Sequence, residues 1–139
     1  QEAQAALAER EGAASGGGTP DAGGGEDAPA GSIVTALTEW DVVPDPGQTA
    51  AGNVTFAAQN DGSLPHELAV VSTDLPDDQL PQAGGTVDEG QVEVVGRTST
   101  FGAGASETLA VDLAPGDYVL ICNVVGHYQQ GMHSSFTVE

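Results

Sequence analysis

From Ser32 onward the chain alternates apolar and polar residues in short segments separated by turn residues. In the first segment the odd positions from Ile33 to Leu37 form one face and the even positions from Val34 to Thr38 form the other. A period of two predicts β-strands with one buried face. Similar segments lie at residues 53–60, 66–72, 92–95, 106–113, 118–121 and 134–138. The pattern predicts an all-β fold, a two-sheet sandwich of about eight strands.

Proline, glycine and aspartate mark the connections between these segments. Residues 44–47 (Pro-Asp-Pro-Gly) and 114–117 (Ala-Pro-Gly-Asp) predict turns, the second of which leads into the apolar segment 118–121. Residues 73–90 are rich in Pro, Asp and Gly and predict a long loop with room for one helical turn.

The first 31 residues differ in composition from the rest. An Ala- and Glu-rich start could form only a short, marginal helix, and residues 12–31 are dominated by Gly, Ala, Pro, Ser and acids. We therefore expect a disordered, flexible tail or linker over residues 1–31 and one folded domain over residues 32–139. The chain begins with Gln1 and contains no segment long enough to predict a transmembrane helix. The tail is interpreted as a tether from a membrane anchor or partner domain, the alternative being a leftover disordered end.

The chain is strongly acidic, with 21 acids against two basic residues and a formal charge of −19. Of these, 15 acids and one Arg lie after residue 31, so that part carries −14. Nucleic-acid binding needs clustered Lys and Arg, so the composition excludes it, and it disfavours adhesion to anionic lipid. The acidity could steer the protein toward a basic partner. Because the acids are spread evenly, a solvated surface adapted to salt or to an alkaline exterior is the favoured interpretation.

Candidate chemistry is concentrated in residues 122–132, which hold the only Cys, the only Met and one of three His residues. Cys122 follows an apolar strand segment, His127 comes five residues later, and Met132 comes five later again, just before the last strand segment. A thiolate, an imidazole and a thioether form a soft ligand set that suits copper, and blue-copper centres combine two His, one Cys and a weak axial Met. His66, at the start of another apolar segment, is the candidate second His.

Two spacings together resemble the cupredoxins, the small blue copper proteins. The first is Asn60-x-Gly62-x3-His66, and the second is Cys122-x4-His127-x4-Met132 before a closing strand. The ligand loop is most similar to rusticyanin-type and auracyanin-like members, since plastocyanins have a shorter Cys-to-His gap and azurins a shorter His-to-Met gap. The resemblance covers residues 32–139.

The resemblance implies a Greek-key β-sandwich that holds one type 1 copper per chain. It assigns His66, Cys122 and His127 to the trigonal plane and Met132 to the axial position. It also implies electron transfer between redox partner proteins that dock near His127. The docking patch would consist of Leu64, Pro65, Val124, Val125, Gly126 and Tyr128. We expect an exported protein on the periplasmic or extracellular side of the membrane, with the tail as its candidate anchor linker, and a monomer.

Two residues depart from the pattern or extend it. The residue after the upstream His is commonly Asn or Ser in the family and bonds the two ligand loops together, whereas here it is Glu67. Asn123 or Asn60 could replace that bond. His133, next to Met132, is expected to point away from the metal if the chain is extended there.

Other interpretations are available for each residue singly. A lone Cys is most often a small buried hydrophobe, and a lone Met is most often a core filler. Their occurrence with a His in one eleven-residue window, at ligand spacing, favours a metal site. The chain lacks the additional His residues of a catalytic copper protein and the second Cys of a binuclear copper domain, so we expect no enzyme. The main alternative is a copper-binding or copper-delivery protein, and a Cys-His nucleophile is a remoter one.

Overall fold

The computed structural model describes residues 31–139. The predicted tail therefore lies outside the described residues, except for Gly31. One short helix, α1 (His127–Gln130), lies between the last two strands. The strands are β1 (Ile33–Thr38), β2 (Asp41–Asp45), β3 (Gln48–Thr49), β4 (Gly52–Asn60), β5 (Ala69–Ser72), β6 (Gln82–Ala83), β7 (Thr86–Val87), β8 (Glu93–Arg97), β9 (Ser106–Leu113), β10 (Gly116–Ile121) and β11 (His133–Val138).

Two main sheets form a sandwich, which confirms the predicted all-β fold. The first sheet has the strand order β2-β1-β4-β9, and the second has the order β3-β11-β10-β5-β8. Most neighbours are antiparallel, but β1 pairs with β4 and β3 with β11 in parallel. The alternation predicted for β1 is confirmed, because Ile33, Thr35 and Leu37 are buried while the residues between them are only half-buried.

The two sheets meet in a core made of their inward-facing apolar residues. Phe56 on β4 and Phe136 on β11 pack edge to face across the sandwich, with ring centroids 5.3 Å apart. On β10, Tyr118 and Leu120 belong to this core, and Cys122, directly after the strand, lies on the same face. The period of two thus places the Cys122 side chain between the sheets.

The outer face of the second sheet is covered by residues 73–90, which we call the strap. Leu80 and Val87 of the strap pack with Val119 and Ile121 of β10 in a second apolar cluster. The centre of the second sheet is therefore buried on both faces. This explains why residues 118–121 form a continuous apolar run instead of an alternating one.

Several local details differ from the expectations. The two main sheets contain nine strands within residues 31–139, close to the expected number of about eight, although the short strands β2 and β3 were not predicted individually. The strap contains the small hairpin β6–β7 in place of the expected helical turn, and the helical turn α1 lies in the ligand loop instead. His66 precedes β5 and forms only an isolated antiparallel bridge with Phe101. Within residues 31–139, no helix is both long and apolar enough to span a membrane.

Candidate metal centre

Three side chains converge at one end of the sandwich. His66, Cys122 and His127 are all buried, and their potential ligand atoms lie within 4.8 Å of one another. The Nδ1 atoms of the two imidazoles are 3.2 Å apart. The Cys122 Sγ atom lies 3.7 Å from Nδ1 of His66 and 3.6 Å from Nδ1 of His127. One sulfur and two nitrogens therefore form a nearly equilateral triangle.

The size of this triangle fits a trigonal metal ion. Bonds of about 2.0 Å to nitrogen and about 2.3 Å to sulfur, spread evenly in a plane, would separate the nitrogens by about 3.5 Å and each nitrogen from the sulfur by about 3.7 Å. The observed separations are within about 0.3 Å of these values. A thiol and two imidazoles are also the soft donor set that suits copper.

His66 is held by the backbone on both sides. Its N–H donates to the carbonyl of Phe101 at 3.1 Å and its carbonyl accepts from the N–H of Phe101 at 2.9 Å. Asn60, at the end of β4, is buried and braces the preceding loop, because its amide donates to the carbonyls of Leu64 (2.9 Å) and Phe101 (3.0 Å). Its side-chain oxygen accepts the N–H of Gly62 at 3.0 Å. The Asn and Gly of the motif before His66 thus shape the loop that presents it.

The second ligand loop, residues 122–132, is closed at its base by hydrogen bonds. The N–H of Cys122 donates to the carbonyl of Met132 at 3.1 Å, and the N–H of Met132 donates to the carbonyl of His127 at 3.2 Å. Gly131 ends α1 with φ 125°, a conformation that L side chains rarely adopt. Met132 is fully buried in the same core cluster as Cys122.

The backbone of Glu67 connects the two ligand loops. Its N–H donates to the Cys122 Sγ atom at 3.4 Å, a bond that does not depend on which side chain follows His66. Asn60 makes no such bond between the loops, and Asn123 reaches Glu67 only through Glu89 and Arg97. The Asn123 side chain binds the backbone of Val87, accepting at 2.8 Å and donating at 3.2 Å, and Asn60 braces the His66 loop.

A network of hydrogen-bonded side chains, three of them charged, forms a second connection between the two ligand loops. The Asn123 amide donates to Glu89 at 2.7 Å, Glu89 receives two bonds from Arg97 at 2.7 and 2.8 Å, and Arg97 donates to Glu67 at 2.8 Å. The hydrogen bond from Arg97 is the main reason why the pKa of Glu89 falls below its ordinary value. The bonds that Arg97 donates to Glu89 and Glu67 in turn raise the pKa of Arg97. This network links Asn123, which follows Cys122, to Glu67, which follows His66.

Glu39, in the turn directly after β1, holds the other nitrogen of His66. The Nε2 atom of His66 is 2.6 Å from Oε2 of Glu39. Backbone and hydroxyl donors from Ser63, and the N–H of Leu64, also bind this carboxylate. With the Ser63 N–H as the largest cause, these bonds lower the pKa of Glu39 to about 2. An ionised carboxylate can only accept, so Nε2 of His66 carries the proton and Nδ1 presents its lone pair to the centre.

Burial sets the protonation of the other two side chains. It raises the pKa of the Cys122 thiol and lowers the pKa of His127. In the metal-free state both groups are therefore held in neutral form. A neutral imidazole is the form that binds a metal, whereas the thiol must lose its proton on binding.

Trp40 packs against His127 from the same turn that carries Glu39. The two rings are edge to face with centroids 5.0 Å apart, and Trp40 remains 39% exposed. Neither Trp40 nor Glu39 was predicted to belong to the site. Their only signals in the sequence are the uniqueness of the Trp and an acid directly after an alternating strand.

The residues predicted to form a docking patch near His127 are not all exposed. Leu64 is 41% exposed and Val125 is 69% exposed, so both are available to a partner. Tyr128 was predicted to belong to the patch, but it is buried beneath the strap. Its hydroxyl donates to the carbonyl of Asp77 at 2.6 Å and accepts the N–H of Leu80 at 3.0 Å.

His133 interacts with the strap. Its Nδ1 atom lies 2.6 Å from a carboxylate oxygen of Asp77. The side chain packs beside Tyr128, with ring centroids 4.9 Å apart. His133 therefore helps to fasten the strap over the second sheet.

Comparison with known proteins agrees with this geometry. A family model described as the sulfocyanin (SoxE) domain matches residues 48–139. A sulfocyanin from Sulfolobus acidocaldarius is 30% identical over 90 residues, which make up 60% of this chain and 44% of that protein. The chain thus spans less than half the length of this relative.

Solved structures show the same fold at lower identity. Auracyanin B has a TM-score of 0.58 and 22% identity over 86% of this chain and 99% of that chain. Reduced auracyanin from Roseiflexus castenholzii has a TM-score of 0.56 and 23% identity over 79% of this chain and 98% of that chain. Rusticyanin from Thiobacillus ferrooxidans has a TM-score of 0.52 and 18% identity over 78% of this chain and 76% of that chain.

The resemblance to cupredoxins is therefore confirmed. Cupredoxins bind a single copper ion, and the cluster of His66, Cys122 and His127 is able to hold a metal. The sulfocyanin model matches more than half of the chain, so this protein belongs to the sulfocyanin (SoxE) family of cupredoxins.

Proposed function

We propose that the protein is a type 1 copper electron carrier in which Met132 would hold the metal together with His66, Cys122 and His127. The observation that best supports this proposal is the triangle of two Nδ1 atoms and one Sγ atom, whose sides are 3.2, 3.6 and 3.7 Å. A bound copper ion would supply a one-electron couple between Cu(I) and Cu(II). With copper bound, the protein would take an electron from a reduced partner and pass it to an oxidised one.

The surrounding residues suit electron transfer because they fix the ligands before a metal binds. Transfer is fast only when the ligands need not rearrange, and the side chains of His66 and Cys122 are held here by groups outside the triangle. Glu39 and the bridge to Phe101 hold His66, the Glu67 N–H holds the Cys122 sulfur, and the hydrogen bond between residues 122 and 132 closes the loop. Burial of all three ligands excludes water from the site.

Partner docking is proposed at the surface next to His127. Trp40, Leu64 and Val125 are large apolar side chains that remain exposed. His127 is buried, but it lies in edge contact with Trp40 and only two residues from Val125. Exposed apolar groups close to a redox ligand favour a small, transient interface. The partners are proteins of complementary surface, and the protein itself is proposed to be a monomer.

The protein is proposed to act on the periplasmic or extracellular side of the membrane, with residues 1–31 as a possible anchor linker. An unpaired Cys in an exported protein is either reactive or bound. Here the buried position of Cys122 between two imidazoles favours the bound state.

A visible spectrum combined with a metal analysis tests the copper site directly. The oxidised protein is expected to contain one copper per chain and to be intensely coloured, because charge transfer from the Cys122 thiolate to Cu(II) absorbs strongly. Cys122→Ala should abolish the colour. Val70→Ala is a matched control, because it also shortens a fully buried side chain of the same core and should cost stability without removing the colour. A coloured Cys122→Ala protein would refute the assignment.

Copper delivery without electron transfer is the alternative. A delivery protein must release its metal, so it should show slow electron self-exchange and rapid loss of copper to a chelator. The pinned loops described above favour retention. Measurement of self-exchange by NMR line broadening, together with the rate of chelator-induced copper loss, would separate the two functions.

A further inference from the structure

The turn between β1 and β2 contacts both imidazoles of the centre. Glu39 is bonded to His66 and Trp40 lies edge to face against His127. This turn is in the first sheet, whereas the three ligand residues belong to segments flanking strands of the second sheet. The first sheet therefore takes part directly in the organisation of the centre.

The Glu39 carboxylate sits in a built pocket. Its side chain is 20% exposed and bound by a ring N–H, two backbone N–H groups and a hydroxyl. The Ser63 and Leu64 donors come from the loop directly before His66. The carboxylate therefore fixes the loop and the imidazole together, and a freely rotating surface acid would not be restrained in this way.

Gly62 makes room for this arrangement. A Cβ atom at position 62 would overlap the Oε2 atom of Glu39 and lie 3.0 Å from Nε2 of His66. Gly62 does not adopt a left-handed conformation, so glycine is needed here for space and not for backbone freedom. The glycine of the motif before His66 is thus explained by the carboxylate that approaches from the opposite sheet.

We propose that Glu39 is a positioning residue for the copper centre, which holds His66 with Nδ1 facing the metal and lowers the reduction potential through its negative charge. This inference rests on the proposed copper function. A carboxylate bonded to the far nitrogen of a ligating His fixes the tautomer and makes the imidazole a stronger donor. Its charge stabilises Cu(II) more than Cu(I), since the oxidised ion is the more positive.

The test compares Glu39→Gln with Glu93→Gln in the full copper-loaded chain. Glu93 is an exposed acid on β8, so its substitution removes the same charge without touching the ligands. Glu39→Gln should raise the reduction potential clearly more than Glu93→Gln. In the diamagnetic Cu(I) form, the Nε2 proton of His66 should be strongly deshielded and slow to exchange. Glu39→Gln should shift it to higher field, whereas Glu93→Gln should leave it in place.

A second test moves the Glu39 carboxylate without removing it. It compares Gly62→Ala with a control glycine substitution. Gly62→Ala should move the Nε2 proton signal and speed its exchange with water. Gly47→Ala is the control, because a Cβ there meets nothing within 4 Å and the residue is not left-handed. Glu39→Ala should also weaken Cu(II) binding by roughly 10- to 100-fold, the usual effect of losing such an outer partner.

The outcomes separate this inference from the proposed function. A colourless wild type would refute both. If the wild type is coloured but Glu39→Gln and Glu93→Gln have the same reduction potential and the same His66 Nε2 proton shift, the role of Glu39 is overturned and the copper function is not. If Glu39→Gln does not fold, an unmoved Nε2 proton in Gly62→Ala would overturn it equally.

Discussion

Arg97→Met should lower the free energy of unfolding by about 2 kcal/mol at low salt. Arg97 forms a two-bond pair with Glu89 and a single bond with Glu67. Its side chain is 39% exposed, so the pair with Glu89 is worth about 0.5–1 kcal/mol after solvent screening. Glu67 is only 12% exposed, and its charge-assisted bond is worth about 1–1.5 kcal/mol. Met keeps the length and apolar stem of Arg, so lost packing contributes little.

Urea unfolding of the metal-free protein is the appropriate assay, because a bound metal would add its own binding free energy. The expected loss corresponds to a midpoint shift of roughly 1 M urea. Arg97→Lys is the matched control. It keeps the charge but cannot form the planar two-bond pair, so it should lose only part of the stability. A midpoint for Arg97→Met equal to that of the wild type, or a difference that high salt does not reduce, would refute the reasoning.

The difference in unfolding free energy between wild type and Arg97→Met should depend on pH. Arg97 lowers the pKa of Glu89 below its ordinary value of 4.5. The stabilisation from this pair is therefore present above the unfolded pKa and is lost as the pH falls through the folded pKa. The gap between wild type and Arg97→Met should narrow as the pH is lowered from about 6 to about 3. A gap that widens in acid would show that Glu89 does not carry the interaction.

Three further predictions concern other parts of the chain. A chain cut before Ser32 should still bind copper and show colour, since residues 1–31 lack the composition to form a core; a colourless product would contradict this. Val125→Asp should slow electron transfer to the partner with nearly unchanged potential, whereas Val43→Asp, at a similarly exposed site on β2, should not; equal rates for Val125→Asp and wild type would move the docking site elsewhere. Met132→Leu and Met132→Gln should shift the potential in opposite directions, as voltammetry would show.

The sequence allowed the main sheets and the candidate cluster to be predicted for a simple reason. A period of two marks most of the strands, and the apolar run 118–121 allowed Cys122 to be placed at the end of a strand. Because that run does not alternate, it did not show which face of the sheet carries the Cys122 side chain. Ligand chemistry then restricted the choice of partners, because the chain has three His residues and one Cys. Spacing along the sequence could not show how close His66 lies to Cys122 and His127, because that distance depends on how β5 pairs with β10.

Contacts made by turns and short strands could not be predicted. Glu39 reaches His66 only because the turn after β1 folds over the ligand loop, and no periodicity encodes that approach. Pro44 interrupted the pattern of β2, although proline is tolerated there because β2 is an edge strand. Tyr128 was predicted to lie at the surface because it follows His127 in the ligand loop, whereas the hairpin of the strap and Leu80 cover that ring.

Met132 offers a sharper test of the centre, because a core role and an axial role predict different results. As a core residue that is 0% exposed, Met132 could be replaced by Leu for less than about 1.5 kcal/mol, while Gln would bury an amide at about 1–3 kcal/mol. Neither cost has a reason to alter the potential in a particular direction. As the axial ligand, Met132 modestly stabilises Cu(II) through its sulfur, and the potential of such centres depends on that donor. Leu should then raise the potential with colour retained, and the harder oxygen of Gln should lower it. If both variants keep the reduction potential of the wild type and lose only stability, Met132 is a core residue and not a copper ligand.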